Sequence, residues 1–396
     1  MLNVQFPDNK VYFIDIRKQK DGIQTPGITE KINEKIQEIT QKLLSLNGEK
    51  NALLKVHVGE PVNDTHMKPE ILKSFIDFFQ EKGIEHVYYG DTTVAYSGER
   101  GFKENPENNV TKYLNLVKKN GFTDVPFIVL DRPVSAVEHF RFEKIHYENT
   151  VEDERIRYKK IYLSGGFLAS DIIINNAHLT GHLIAMNALC NKSISMGLGS
   201  YAAKIQLHQN LYPEINHSDC IRCEACIENC PVSALSMKNS RVEVRQSVCM
   251  GCGECASVCP EGVIHMTSNG ISDWNKGTES LDVRMAEYTI AMLSFYHGKM
   301  LHVGHLYSIT GMCDCMNTHQ KPNCRDIGIV IGLNPFAVDF AGAALEGMMK
   351  AGDDRSFSTD SMLEQAKKSK RFALYDYVKN TFSIDYEPEM ERIEIS

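Results

Sequence analysis

The chain has 396 residues and 12 cysteines, and eight of these are spaced for one kind of chemistry. The run Cys220-Ile-Arg-Cys223-Glu-Ala-Cys226-Ile-Glu-Asn-Cys230-Pro231 recurs as Cys249-Met-Gly-Cys252-Gly-Glu-Cys255-Ala-Ser-Val-Cys259-Pro260. Each half reads C-x2-C-x2-C-x3-C-P. Thiolates at that spacing hold [4Fe-4S] clusters, and the fourth Cys of each run ligates the cluster of the other. Cys220, Cys223, Cys226 and Cys259 are therefore expected to hold one cluster, and Cys249, Cys252, Cys255 and Cys230 the other. Pro231 and Pro260 remove a backbone N–H and fix φ beside the crossing cysteines. Gly251 and Gly253 allow backbone to pass close to a bulky inorganic core. Structural zinc sites pair two C-x2-C units and do not use triplets with a crossing fourth Cys.

Four cysteines remain: Cys190, Cys313, Cys315 and Cys324. The last three form C-x-C-x8-C, with Asp314, His319 and Asp326 close by in sequence. C-x-C presents two sulfurs to one soft ion, and His319 or Asp326 would complete a tetrahedral set. Cys313, Cys315 and Cys324 are thus candidate ligands of an additional metal ion. Packed thiols with incidental spacing are the other reading.

The remaining chemistry-bearing residues are scattered: His57, Glu60, Asp91, His178, His182, Lys192 and Asp339. What groups them is the set of elements that carries them. Strands are expected at Val11–Ile16, Ala52–Val58, His86–Tyr89, Pro126–Leu130, Asp171–Asn175, Leu301–Ile309 and Ile327–Gly332. Helical periods alternate with them at Thr29–Leu46, Pro69–Glu81, Val110–Asn120, Ser280–Gly298 and Phe336–Lys350. Charged and aromatic stretches at Val137–Tyr147 and Arg155–Leu163 suggest edge strands or a hairpin. This rhythm implies an α/β fold, a largely parallel sheet with helices on both faces. Such sheets bind ligands beyond the carboxyl ends of their strands. Asp91, His182, Lys192, Cys313, Cys315 and Asp339 are accordingly expected around one cleft there. The polar, small-residue segment Ala185–Tyr201 reads as a loop approaching a ligand. The tail from Thr359 reads as one helix followed by an acidic, exposed end.

The cysteine-rich segment interrupts this rhythm. Residues 1–215 and 271–396 are expected to form one discontinuous α/β domain, with 216–270 an inserted ferredoxin-like module holding both clusters. Short strands at Val242–Arg245 and Val263–Thr267 fit between the cluster loops.

Hydrophobic residues make up 42% of the chain, enough for a large core. The net charge of −8 argues against nucleic acid as the main partner. No stretch is long and apolar enough for a membrane span, and the start of the chain lacks a basic segment followed by an apolar run. Cluster thiolates need a reducing compartment, so a cytoplasmic location is expected.

Several segments in order resemble the iron–sulfur-centre proteins of the domain of unknown function 362 family. They are Lys55-Val-His57-Val-Gly-Glu60, Gly90-Asp91-Thr92, Lys119-Asn-Gly121-Phe122, His178-Leu-Thr-Gly181-His182, Ala188-Leu189 through Met196-Gly197, the double cysteine motif, Cys313-Asp-Cys315, and Asp326-Ile-Gly328 through Asn334-Pro-Phe-Ala-Val-Asp339. The resemblance spans most of residues 50–345. The chain departs from the family pattern at Thr180, where relatives carry Lys, at Asn334, where they carry Asp, and at Ala188–Ser195. The resemblance implies a fold and a layout and names no reaction.

Two functions follow from these residues. One is electron transfer or oxidoreduction, with two clusters linking a redox partner protein to a small-molecule substrate at a polar or metal site. The other is a metal-binding, maturation or sensor protein whose clusters are structural or oxygen-sensing. No nicotinamide or flavin fingerprint is present.

Overall fold

The computed structural model describes all residues except 1, 3, 96–97, 183–184, 186–188, 209–210, 231, 252, 269–279, 351–372 and 396. Cys252, Pro231 and the expected boundary at residue 270 therefore lie outside the described residues.

Apolar runs become central strands buried on both sides, and polar segments become strands at edges and in separate hairpins. In chain order these are β1 (Lys10–Asp15), β2 (Asn51–Lys55), β3 (His86–Asp91), β4 (Phe127–Val129), β5 (His146–Thr150), β6 (Lys160–Ser164) and β7 (Ile172–His178). They continue as β8 (Leu211–Ile215), β9 (Leu235–Lys238), β10 (Arg241–Val244), β11 (Ile264–Ser268), β12 (Lys299–Leu306), β13 (Gly328–Gly332) and β14 (Glu389–Glu394). Between them run α1 (Ile28–Leu43), α2 (Lys73–Glu81), α3 (Thr111–Lys119), α4 (Gly165–Leu168), α5 (Cys190–Ser195), α6 (Tyr201–Leu207), α7 (Ala225–Glu228), α8 (Glu254–Ser257), α9 (Leu281–Phe295), α10 (Pro335–Lys350) and α11 (Ala373–Phe382).

Eight strands form one sheet in the order β14-β1-β13-β12-β7-β2-β3-β4. Among the described strands of that sheet, β13 alone runs against its neighbours, β1 and β12. The other pairings are parallel. Alternate residues feed two cores. Leu53, Tyr88, Ile173 and Val330 pack toward α5, α9 and α10, while Leu54, Tyr89, Ile174 and Ile329 pack toward α1, α2 and α3. On α1 the buried residues Ile28, Ile32, Ile36 and Ile39 recur at helical spacing, so one stripe seals the sheet and the other face meets water. By contrast α9 is buried all round from Leu281 to Met292, as a helix between layers must be.

Two expectations need correction. The expected loop over Ala185–Tyr201 contains α5, a six-residue helix, and the start of α6. The acidic end is not a free tail: β14 pairs in parallel with β1 from Lys10↔Glu389 to Asp15↔Glu394 and closes the sheet edge. The charged stretches before β7 form the hairpin that the sequence suggested, β5 with β6 antiparallel, away from the main sheet.

Between β8 and β11 lies a small unit with its own apolar cluster, including Cys226, Cys230, Leu235, Val242, Cys255 and Ile264. β8 pairs with β11 antiparallel, and the Asn216 amide donates to the Val263 carbonyl at 2.9 Å, so both ends of this segment meet.

Candidate functional site

Parallel strands end in a row. In register, Lys55 of β2 lies beside Gly90 of β3 and Asn175 of β7, while His178 lies beside His305 of β12. Because β12 runs with β7 and β13 returns against it, the loop between them, with Cys313–Cys315, falls at the carboxyl edge. That edge holds a cavity, lined among others by Lys55, Asp91, Arg100, His178, Lys192 and Cys313.

One wall is built around a carboxylate. Asp91 accepts from Arg100 Nη2 at 2.5 Å and from the Thr92 amide at 2.9 Å, and Lys55 Nζ stands 3.3 Å away. Gly197 makes room for this lysine, since a Cβ there would lie 2.6 Å from Lys55 Cε. Arg100 also reaches the Tyr113 hydroxyl at 3.2 Å and His57 Nε2 at 2.8 Å. His57 is held neutral, its pKa well below the ordinary value, because it is enclosed and faces Arg100, Lys55 and Lys192. Burial also lowers Lys55, against the pull of Asp91.

A second wall comes from α5 and α6. Asp339 on α10 accepts from the Cys190 amide at 2.6 Å and the Asn191 amide at 2.9 Å, satisfying free N–H groups at the start of α5. Burial pushes the Asp339 carboxyl up to about 7, against those donors. Asp339 thereby holds the helix that carries Lys192 into the cavity. Burial lowers Lys192 to about 7. On α6, whose first amide, Tyr201, donates to Asp131 at 3.1 Å, Lys204 donates to Thr92 Oγ1 at 2.6 Å and the Gly199 carbonyl at 3.0 Å. Burial lowers Lys204 to about 8.

Histidines complete the lining. His178 has Asp314 Oδ2 at 2.7 Å from Nδ1 and the Tyr307 carbonyl at 2.6 Å from Nε2. Both ring nitrogens face acceptors, which requires an imidazolium. Burial opposes that charge, and Asp314 outweighs it, so the His178 pKa is raised. His208 donates from Nδ1 to the Lys204 carbonyl at 2.7 Å, and burial lowers it to about 4, leaving a neutral ring. His182 accepts at Nδ1 from the Ala185 amide at 2.9 Å and is also neutral, through burial and the nearby Lys192. Lys55, Arg100, Lys192, Lys204 and His178 thus face two carboxylates, Asp91 and Asp314.

Of the residues expected to converge, Asp91, His182, Lys192, Cys313 and Cys315 line this cavity, as do His57 and His178. Asp339 does not. Since β13 is antiparallel, α10 starts from the opposite edge, and Asp339 one turn along reaches only the back of α5. Glu60 also stands behind the wall, 4.0 Å from Arg100, where burial pushes its carboxyl up to about 7. The expected set Cys313, Cys315 and Cys324 does not assemble. Cys313 and Cys315 are bonded to each other, while Cys324 packs against the main core near Glu346 and Lys350. His319 is exposed, and Asp326 accepts from the Ile23 and Ser308 amides. Among the described residues no three His, Cys, Asp or Glu side chains could hold a metal ion together. Sequence reasoning missed Arg100, Lys204 and His208, and it named Lys55 and Asp314 only within longer motifs, with no role of their own.

The motif cysteines sort into two groups. Cys220, Cys223, Cys226 and Cys259 line one small cavity, and Cys230, Cys249 and Cys255 line another. The second abuts the main site. Met250 Sδ is 3.9 Å from the Tyr201 hydroxyl, and both residues pack against the cluster that includes Cys313, Cys315 and Val94.

The fold and cavity define an α/β protein with a site rich in basic side chains at the carboxyl edge of its sheet. The family description "Domain of unknown function (DUF362)" matches residues 52–344, and the chain belongs to that family. A solved structure of a protein from Thermotoga maritima is similar at 11% identity, with a TM-score of 0.36 over 82% of this chain and 58% of that one. The chain thus spans less than two thirds of that protein's length. No curated protein matches. No helix among the described residues is long and apolar enough to cross a membrane.

Proposed function

We propose that this chain is an iron–sulfur oxidoreductase that reduces or oxidises a small anionic compound in the cationic cavity. Cys220, Cys223, Cys226 and Cys259 would hold one [4Fe-4S] cluster, and Cys249, Cys252, Cys255 and Cys230 the other. Bound clusters supply one-electron transfer. The grouping of seven of these cysteines around two cavities supports the assignment with exchanged fourth ligands. The meeting of β8 with β11 supports residues 216–270 as an inserted ferredoxin-like domain. A reducing, cytoplasmic setting and a redox partner protein follow from the same reading.

The observation that carries the proposal is contact. The Cys249-Met250-Gly251 turn packs on the wall of the cavity: a Cβ on Gly251 would lie 2.6 Å from the carbonyls of both His208 and Leu211. Inside the cavity, Lys192, Arg100 and Lys204 bind and orient an anion. His178 holds a proton at its ring while bonded to Asp314. His57 and His208 stay neutral, because burial disfavours their protonation. The position of Cys324, apart from the bonded pair, favours this reading over a metal carrier.

Anaerobic purification with iron analysis and EPR tests this. About eight irons per chain and interacting S = 1/2 signals on reduction are expected. Zinc in place of iron, with no charge-transfer absorption, would overturn it.

A further inference from the structure

Two sulfur atoms in the cavity wall have no part in the chemistry above. Cys313 and Cys315 are joined in a disulfide, are 2% and 4% exposed, and line the same cavity as Lys192 and His178. We propose that they form a reversible dithiol–disulfide couple, a two-electron acceptor built into that wall. This deepens the proposed function and rests on it for the source of electrons.

Three observations carry the inference. The bond spans a sequence separation of 2, so it closes almost no loop and constrains the unfolded chain little. Stabilisation is therefore a poor account of its presence. Next, a disulfide in a chain whose other thiols must stay reduced belongs to the transient or catalytic kind. Last, the pair lies beside the thiol-rich segment: Met250, next to Cys249, packs on the apolar cluster that contains Cys313 and Cys315.

The reaction balances as one disulfide, two electrons and two protons giving two thiols. The Cys313–Cys315 S–S bond breaks and two S–H bonds form. A low-potential one-electron donor of the ferredoxin class, acting twice, supplies the electrons. Protons come from the cavity, where the His178 imidazolium is bonded to Asp314, the residue between the two cysteines. The Cys315 amide donates to Cys313 Sγ at 3.3 Å, a contact that favours a thiolate there.

The test uses the full chain, purified without oxygen. It is equilibrated in buffers of reduced and oxidised dithiothreitol, quenched with acid, alkylated and mapped by mass. The peptide with Cys313 and Cys315 should pass from unmodified to doubly alkylated with a two-electron slope, and Cys324→Ser should leave the midpoint unchanged. A pair that stays bonded, or stays open, across the whole range overturns the proposal. A second arm counts electrons by coulometry. Wild type should take up about two more per chain than the Cys313→Ser, Cys315→Ser double variant at equal iron content, and equal uptake also overturns the couple. The two readings fail separately. Clusters that reduce while the pair stays bonded remove the couple alone. A pair that titrates in a chain without cluster absorption removes the iron–sulfur reading and leaves the couple.

Discussion

The two halves of the cysteine motif share a spacing and a backbone course and differ in burial. In the first half, residues 221–224 are exposed, and Ile221 is 60% accessible. In the second, Gly251 and residues 253–255 are buried. Both halves bend through left-handed backbone at equivalent places. The first uses Arg222 (φ 60°) and Glu224 (φ 61°), and the second uses Gly251 (φ 69°) and Gly253 (φ 81°). At the surface a side chain on left-handed backbone can point into water. Against the sheet it cannot, because the His208 and Leu211 carbonyls already occupy the place of a Cβ on Gly251. The repeat therefore duplicates cysteines and not surroundings. In the proposed function, the exposed half meets the partner and the buried half meets the cavity.

Four experiments would break or sharpen that contrast. The largest effect is on iron. Cys230→Ala should cost about half the iron, taken from the set of Cys249 and Cys255, and Cys259→Ala should cost the other half. Loss from the neighbouring set in each case would reverse the pairing. Next, Gly251→Ala should lower stability by about 2–4 kcal/mol, through strain at positive φ and overpacking. Arg222→Ala should change the urea midpoint by under about 0.5 kcal/mol. Equal effects would mean that the second half is not docked.

A smaller effect is pH dependence in the cavity. Lys192 titrates near 7, below its ordinary value through burial. Its charge is present below that pH and lost above it. Sulfate affinity should therefore fall up to about tenfold between pH 6 and 8 by calorimetry, and Lys192→Met should flatten the profile. Lys204, near 8, extends the same fall upward. Smallest is Asp339→Ala, which uncaps α5 and should cost about 1–2 kcal/mol in thermal or urea unfolding. An unchanged midpoint would show that the cap contributes nothing.

Much of the sheet was legible because buried parallel strands read as unbroken apolar runs, and Ile172–Ile174 and Ile329–Ile331 are such runs. β14 was not legible. Its sequence Glu-Met-Glu-Arg-Ile-Glu carries the charges of an edge strand, which look like an exposed tail until β1 is beside it. Nor was α5: six residues give no periodicity, and its cap is Asp339, 148 residues from Asn191. Sequence spacing misled at Cys324, because the loop after Cys315 carries it to the core side of the sheet. Arg100 and Lys204 are buried ions whose partners come from other elements, so nothing local marked them.

β1 has a consequence for how the protein is made. It pairs Val11 with Gly332 and Lys10 with Glu389, and so has no partner strand in the main sheet until residues beyond 327 exist. At ribosomal speeds that is on the order of tens of seconds. Throughout that interval Val11, Tyr12, Phe13 and Ile14, all buried in the finished sheet, are an unpaired apolar strand open to other chains. Such long-range closure is also slow in its own right. The nascent chain is thus most at risk of aggregation at its first strand, and synthesis of β13 and β14 ends that risk.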